Sequence, residues 1–343
     1  MKISKNMKKS SINNIEIDKL NVMKQINENG QYKDDNIFIK IYQIEEEKEK
    51  EKQNQNFYLA NITKNNSSFI GILNDQFKRE GYGFNKFENN DKYLGNFEND
   101  KLHKNGIYIW PPESKDSNIL TECYLGNWKE NKKEGIGIYI FLSEPNNNKI
   151  LDAANLEAFI GEFEDDIYKR GTYIIKDNND YYLYHGNFDK EGRKNDENAF
   201  FYSSSKSTLI HGKISKDIFR NGYIFEFDSE SGSIKEMAYC KFDKNSNLID
   251  STYKNDLPKE DKEKEEKIIC NFRNIILNGV YLRFIYDKFK EVNNFINEEI
   301  NNIDAFENKE KLEKINNICN DYNSNDIYTQ IENSIFNENS FSK

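Results

Sequence analysis

The sequence predicts a mainly β protein: an elongated single-layer antiparallel sheet of stacked β-hairpins, followed by a helical C-terminal segment. Three observations carry that prediction. Tyr124-Leu125-Gly126-Asn127-Trp128 and Gly135-Ile136-Gly137-Ile138-Tyr139-Ile140-Phe141 alternate with period two on either side of a short polar run, the pattern of a hairpin. The same unit recurs along the middle of the chain. Beyond Phe242 the repeating glycines stop, and apolar residues return at three- and four-residue steps, the spacing of amphipathic helices.

Four regions follow. Residues 1–56 are a charged N-terminal arm with one strand, Asn36–Tyr42, rich in β-branched and aromatic residues. The first fourteen residues carry Lys2, Lys5, Lys8 and Lys9 and no acid, as a frayed terminus or a weak tether to an anionic surface would. Glu45–Lys52 is a mixed-charge run that reads as a solvated turn of helix or a loop. Residues 57–243 are the hairpin array, opened by a strand at Phe57–Ile62. Residues 244–322 are a charged linker and amphipathic helices, the first starting behind Pro258 with a stripe of Ile268, Ile269, Phe272, Ile275, Ile276, Val280 and Phe284. A second stripe runs from Phe289 to Ile303, and a short third surrounds Leu312–Cys319. These stripes either fold back on the last hairpins or offer a seam to a partner. Residues 323–343 are a polar tail.

Within the array, first-strand glycines stand at Gly71, Gly95, Gly126, Gly161, Gly186 and Gly212, which lie 24, 31, 35, 25 and 26 residues apart. The long intervals contain breaker-rich insertions, Pro111–Thr121 and Glu144–Asn155, so the period is near 24 with two enlarged loops. Second-strand glycines are Gly81, Gly83, Gly106, Gly135, Gly137, Gly171 and Gly222; the partner strand at Asn198–Tyr202 has lost its own. Glycine weakens a strand, and it recurs where a ring or a backbone must come close. The expectation is that rings lie across the strand at these positions.

The unit, aromatic-x-Gly-x-aromatic, polar turn, Gly-x-Gly-x-x, resembles the MORN repeat (membrane occupation and recognition nexus). The match is strong at Tyr93–Trp110 and Tyr124–Phe141 and weaker at Phe69–Phe84, Phe159–Ile174 and Ile210–Phe225. The resemblance implies a non-enzymatic scaffold that binds other proteins of a large assembly. By analogy with radial-spoke-head proteins that assembly is the ciliary axoneme, placing the chain in the cytoplasm, on the cytoskeleton, at a cilium. The alternative is a phosphoinositide-membrane tether of the junctophilin type. The Asn- and Lys-rich composition suits the codon bias of a ciliate-like genome.

Composition sets bounds on both readings. Only 36% of residues are hydrophobic, yet aromatics reach 14%, too many for a disordered chain and well suited to thin modules held by ring contacts. A net charge of −10 disfavours nucleic acid as a partner. Cys123, Cys240, Cys270 and Cys319 have neither zinc-site nor disulfide spacing and suit a reducing compartment. No apolar run reaches the length of a membrane span, and no N-terminal segment has signal-peptide character, so the chain reads as intracellular and soluble.

No catalytic residue, metal ligand or cofactor emerges. The glycines are not followed by Lys-Ser/Thr or by a helix, as a phosphate loop requires. His185 and His211 occupy equivalent slots of adjacent hairpins. They read either as a proton-sensitive pair or half a metal site, or as replacements for the apolar residues found there elsewhere. Tyr93, Phe97, Trp110, Tyr124, Trp128, Tyr139, Phe159 and Phe163 are the candidate partner-binding face, against the alternative that they pack hairpin on hairpin.

Overall fold

The structure is a computed structural model that describes residues 31–33, 37–44, 57–110, 122–142, 155–177, 180–273, 275 and 294. The basic N-terminal residues, the 45–52 charge run, the 111–121 and 143–154 loops, the stripes beyond 276 and the polar tail lie outside the described residues. The described strands fall into two compact units, one up to Glu134 and the other from Gly135 onward.

The first unit contains β1 (Gln31–Lys33), β2 (Ile37–Ile44), β3 (Phe57–Lys64), β4 (Ser67–Leu73), β5 (Arg79–Lys86), β6 (Lys92–Glu98), β7 (Lys101–Trp110) and β8 (Glu122–Lys129). Each pairs antiparallel with its sequence neighbour. β9 (Lys132–Leu142) begins here and continues into the second unit. There follow β10 (Asn155–Glu164), β11 (Ile167–Asp177), β12 (Asp180–Asn187), β13 (Asn195–Ser203), β14 (Thr208–Ser215), β15 (Ile218–Phe227), β16 (Ile234–Phe242) and β17 (Leu248–Tyr253). They too pair in sequence order, from β9–β10 to β16–β17. The mainly β class and the antiparallel hairpin architecture stand as the sequence predicts, and strand pairing continues past residue 243 into β17.

Local chemistry fixes the turns. Two-residue connections at Asn99–Asp100, Glu130–Asn131, Asp165–Asp166 and Lys216–Asp217 have both residues at positive φ, between 51° and 72°. That is the hairpin turn whose twist matches the strands, and Asn and Asp tolerate it best. Longer connections are tied by Asx bonds: Asn74 Oδ1 accepts the N–H groups of Gln76 and Lys78, each at 3.0 Å, and Asp243 Oδ1 does the same for Asn245 and Asn247.

The glycines fall into register across the strands. In the first unit Gly71, Gly83, Gly95, Gly106 and Gly126 are successive cross-strand partners. In the second, Gly137, Gly161, Gly171 and Gly186 form a like row, and Ala199, Gly212 and Gly222 another. Ala199 takes the place of the glycine that β13 lacks. Just past the row the pairing shifts by a bulge at Gly71/Ile72, Gly95/Phe97, Glu162/Phe163 and Lys213/Ile214. Gly81 and Gly135, two residues before the row, have φ of 63° and 66°. A Cβ on Gly81 would meet only Ile72 Cδ1, at 3.6 Å. That glycine is there for its backbone angle, which corrects the expectation that it makes room for a ring.

A helix spans residues 259–273, and the N–H groups of Asp261 and Lys262 donate to the Pro258 carbonyl. Ile268, Phe272 and Ile275 are buried at a four- and three-residue spacing, so the predicted stripe is the face that packs.

Candidate interaction site

The repeat core is built from one geometric unit. In Tyr93/Phe97, Tyr124/Trp128, Phe159/Phe163 and Tyr184/Phe188 the two rings stand four residues apart, on one strand in the first three and with Phe188 just past the end of β12 in the fourth. Their centroids are 5.1 Å apart in every case, with interplanar angles of 81°, 89°, 89° and 78°. An edge-to-face pair contributes about 0.5–1.5 kcal/mol beyond its area burial. Each tyrosine of the set also donates to the carbonyl three residues on: Tyr93 to Asn96 at 2.9 Å, Tyr124 to Asn127 at 3.0 Å, Tyr184 to Asn187 at 2.6 Å. Rings of successive repeats then touch, Phe69 to Phe97 at 5.6 Å and Tyr93 to Trp128 at 5.8 Å.

The first ring of each pair lies over the glycine row, as expected. A Cβ on Gly106 would fall 2.5 Å from Cε2 and Cζ of Tyr93, and one on Gly95 would fall 2.6 Å from its hydroxyl. Phe159 blocks Gly161 and Gly171 alike at 2.8 Å, and Phe69 blocks Gly71 at 2.7 Å and Gly83 at 2.8 Å. At Gly212 and Gly222 the close atoms are backbone instead, because residue 210 is isoleucine and supplies no ring.

All eight rings of the candidate partner-binding face are buried: Tyr93, Phe97, Trp110, Tyr124, Trp128, Tyr139, Phe159 and Phe163. Burial assigns them to packing between hairpins, not to an open groove, because an aromatic docking face must present its rings to solvent. The large apolar side chains that are exposed, among the described residues, are Ile167, Tyr181, Leu248, Ile249 and Tyr253. Three of these five belong to β17, where every residue but Thr252 is exposed.

Three buried cations accompany the rings, and sequence reasoning missed them. Arg79, Lys133 and Lys194 are at most 6% exposed. The Arg79 guanidinium lies 4.9 Å from the Phe97 centroid, Lys133 Nζ 5.3 Å from that of Trp110, and Lys194 Nζ 5.5 Å from that of Tyr184. Burial pulls the Arg79 pKa down, opposed by the Asp100 carboxylate 3.1 Å away. Burial lowers Lys194 as well, opposed by Asp217. Arg79 and Lys133 each stand two residues before a glycine of positive φ, Gly81 and Gly135, but that spacing alone does not tell a buried cation from a solvated one.

A backbone clasp joins neighbouring repeats at the same place. The second turn residue of one repeat accepts a backbone N–H of the preceding repeat through its side chain and donates its own N–H to the same residue's carbonyl. The pairs are Asp100 with Arg79 (2.9 and 3.0 Å), Asn131 with Leu102 (2.7 and 3.1 Å) and Asp217 with Lys194 (3.0 and 3.0 Å).

The two histidine slots are adjacent but do not join. Phe200 pairs across the sheet with His185 on one side and His211 on the other, its centroid 6.5 and 4.3 Å from theirs. His185 Nδ1 is 2.9 Å from Thr172 Oγ1. Desolvation lowers both imidazoles to about 4, so they are neutral near pH 7, with His185 buried and His211 half-buried. Other shifted groups have structural partners. Burial and the Glu157 carboxylate, 2.6 Å from its hydroxyl, push Tyr173 well up, and burial raises the Cys123 thiol, leaving no poised nucleophile at either. Cys123 and Cys240 are buried, and Cys270 is exposed.

The helix docks on the second unit. Phe272 meets Tyr202 at 5.1 Å, Tyr223 donates to Asp261 at 2.7 Å, and Lys264 Nζ lies 2.7 Å from the same carboxylate. Of the two readings left open for the apolar stripes, this segment takes the first and folds back on the hairpins. No helix of the described residues is long and apolar enough to cross a membrane.

The MORN repeat family model matches residues 93–115 and 124–142, the two stretches where the ring, glycine and turn pattern is most complete. A comparison with curated proteins finds no match.

Proposed function

We propose, from the premise that this chain is a MORN-repeat protein, that it is a structural scaffold of a cytoskeletal assembly, and that the assembly is the ciliary axoneme. MORN repeats serve protein interaction or membrane binding and are generally non-enzymatic. One observation carries the scaffold reading: the eight candidate rings and the buried cations Arg79, Lys133 and Lys194 are spent on neighbours within the array, while three of the five exposed large apolar side chains of the described residues lie on β17. A surface of that kind recognises another protein, with Leu248, Ile249 and Tyr253 as the contact residues.

The test is a tagged full-length chain imaged in its source cell, followed by detergent extraction. Retention with the insoluble axoneme is the expected result. Release with the soluble fraction, together with flotation on phosphoinositide vesicles at physiological salt, would overturn the scaffold in favour of the tether. A short basic arm alone is screened off under those conditions.

A further inference from the structure

We propose that Glu98, His103 and Glu130 form a binding site for a divalent transition-metal ion of the Zn2+ class, which staples the β6–β7 hairpin to the turn that follows β8. One ligand atom from each residue lies within 4.8 Å of the other two, and His103 Nε2 stands 3.2 Å from Glu98 Oε2. Imidazole nitrogen with two carboxylates is a recognised donor set for zinc with one coordination position left open.

The backbone already sets the three in place. Glu98 closes β6 immediately before the Asn99–Asp100 turn, so His103 on β7 returns beside it. Glu130 precedes Asn131 and His103 follows Leu102, and Asn131 and Leu102 are the clasped pair. The site therefore rests on two turns and an inter-repeat clasp, and only side chains need to move. Ligand atoms bound at about 2.0–2.2 Å around a tetrahedral ion sit roughly 3.3 Å apart, which rotation of two exposed glutamates can reach. Glu98 and Glu130 are about half exposed and His103 about a quarter.

Charge and selectivity follow from the same residues. Two carboxylates balance a divalent ion. Lys101, an exposed side chain now paired with Glu130, must swing away to admit it. That competition makes the affinity micromolar in class, below that of a closed structural site. Mg2+ prefers all-oxygen coordination, so the imidazole selects for transition ions. His185 is buried and the half-buried His211 ring packs at 4.3 Å on Phe200, whereas His103 stands beside two exposed carboxylates.

The experiment uses the untagged full-length chain in metal-free buffer, titrated calorimetrically with Zn2+ and with Mg2+, and separately with Co2+ followed by visible absorption. Expected are one equivalent of Zn2+ at micromolar affinity, no comparable Mg2+ heat, and a Co2+ band. His103→Ala and Glu130→Gln should each weaken Zn2+ by roughly tenfold or more, with circular dichroism unchanged. The proposal fails if Zn2+ does not bind below about 100 μM. It fails equally if His103→Ala binds as tightly as the parent, which would place the ion elsewhere, at Cys270 for instance. These outcomes do not depend on whether the chain is a scaffold.

Discussion

Asn131 holds Leu102 by two hydrogen bonds, its Oδ1 accepting the Leu102 N–H at 2.7 Å and its own N–H reaching the Leu102 carbonyl at 3.1 Å. Leu102 is fully buried, so water cannot replace a lost partner.

Asn131→Ala removes the side-chain half of that clasp and puts alanine at a φ of 71°. The expected loss is about 1–2 kcal/mol, read from urea unfolding. An unchanged midpoint would mean that the turn does not couple the two repeats.

Gly106→Val drives a side chain into the Tyr93 ring, and the chain should lose about 2–4 kcal/mol. The control is Gly192→Ala, at a φ of 72° with nothing within 4 Å of the added carbon, where only the backbone term of about 1 kcal/mol applies. Equal costs at the two sites would refute the ring-over-glycine account.

Acid should weaken the second unit through its histidines. Both folded-state values are near 4, below the ordinary 6.5, so between those limits the unfolded chain binds more protons than the folded one. The stabilisation is complete above about pH 6.5 and is lost as pH falls toward 4, up to roughly 3 kcal/mol for each group as an upper bound. His211→Leu should flatten the slope of stability against pH in that window. A slope that survives in the variant would point to other groups.

Phe272→Ala should free the 259–273 helix from Tyr202 while leaving the strands folded. Hydrogen exchange should show protection falling by about a hundredfold or more in that helix, with β12 to β15 retained, for a cost of about 3 kcal/mol. Loss of protection throughout would mean that the helix is part of the cooperative core.

Much of this was legible because the repeat writes its geometry into short spacings. The glycine row, the two-residue turns at Asn99–Asp100 and Asp165–Asp166, and the stripe of Ile268, Phe272 and Ile275 all follow from residues a few positions apart. Burial of Tyr93 and Trp128 depends instead on rings in neighbouring repeats, tens of residues away, and period-two alternation cannot say which face is covered. Arg79, Lys133 and Lys194 were hidden for a related reason. A basic residue beside a turn reads as solvated, and only the ring beneath it and, for Arg79 and Lys194, the next repeat's turn explain its burial. At Gly81 the pattern showed a glycine but not its φ, so the reason given for it was the wrong one.

The clasp also gives the ladder a direction. At Asp100, Asn131 and Asp217 the turn reaches back to the repeat before it, as Asn131 does to Leu102. Trimming the chain from its C-terminal side therefore strands dry amide groups on the repeat that becomes last. Trimming from the N-terminal side merely hands a surface asparagine or aspartate to solvent. Shortened versions of this protein should survive loss of leading modules better than loss of trailing ones.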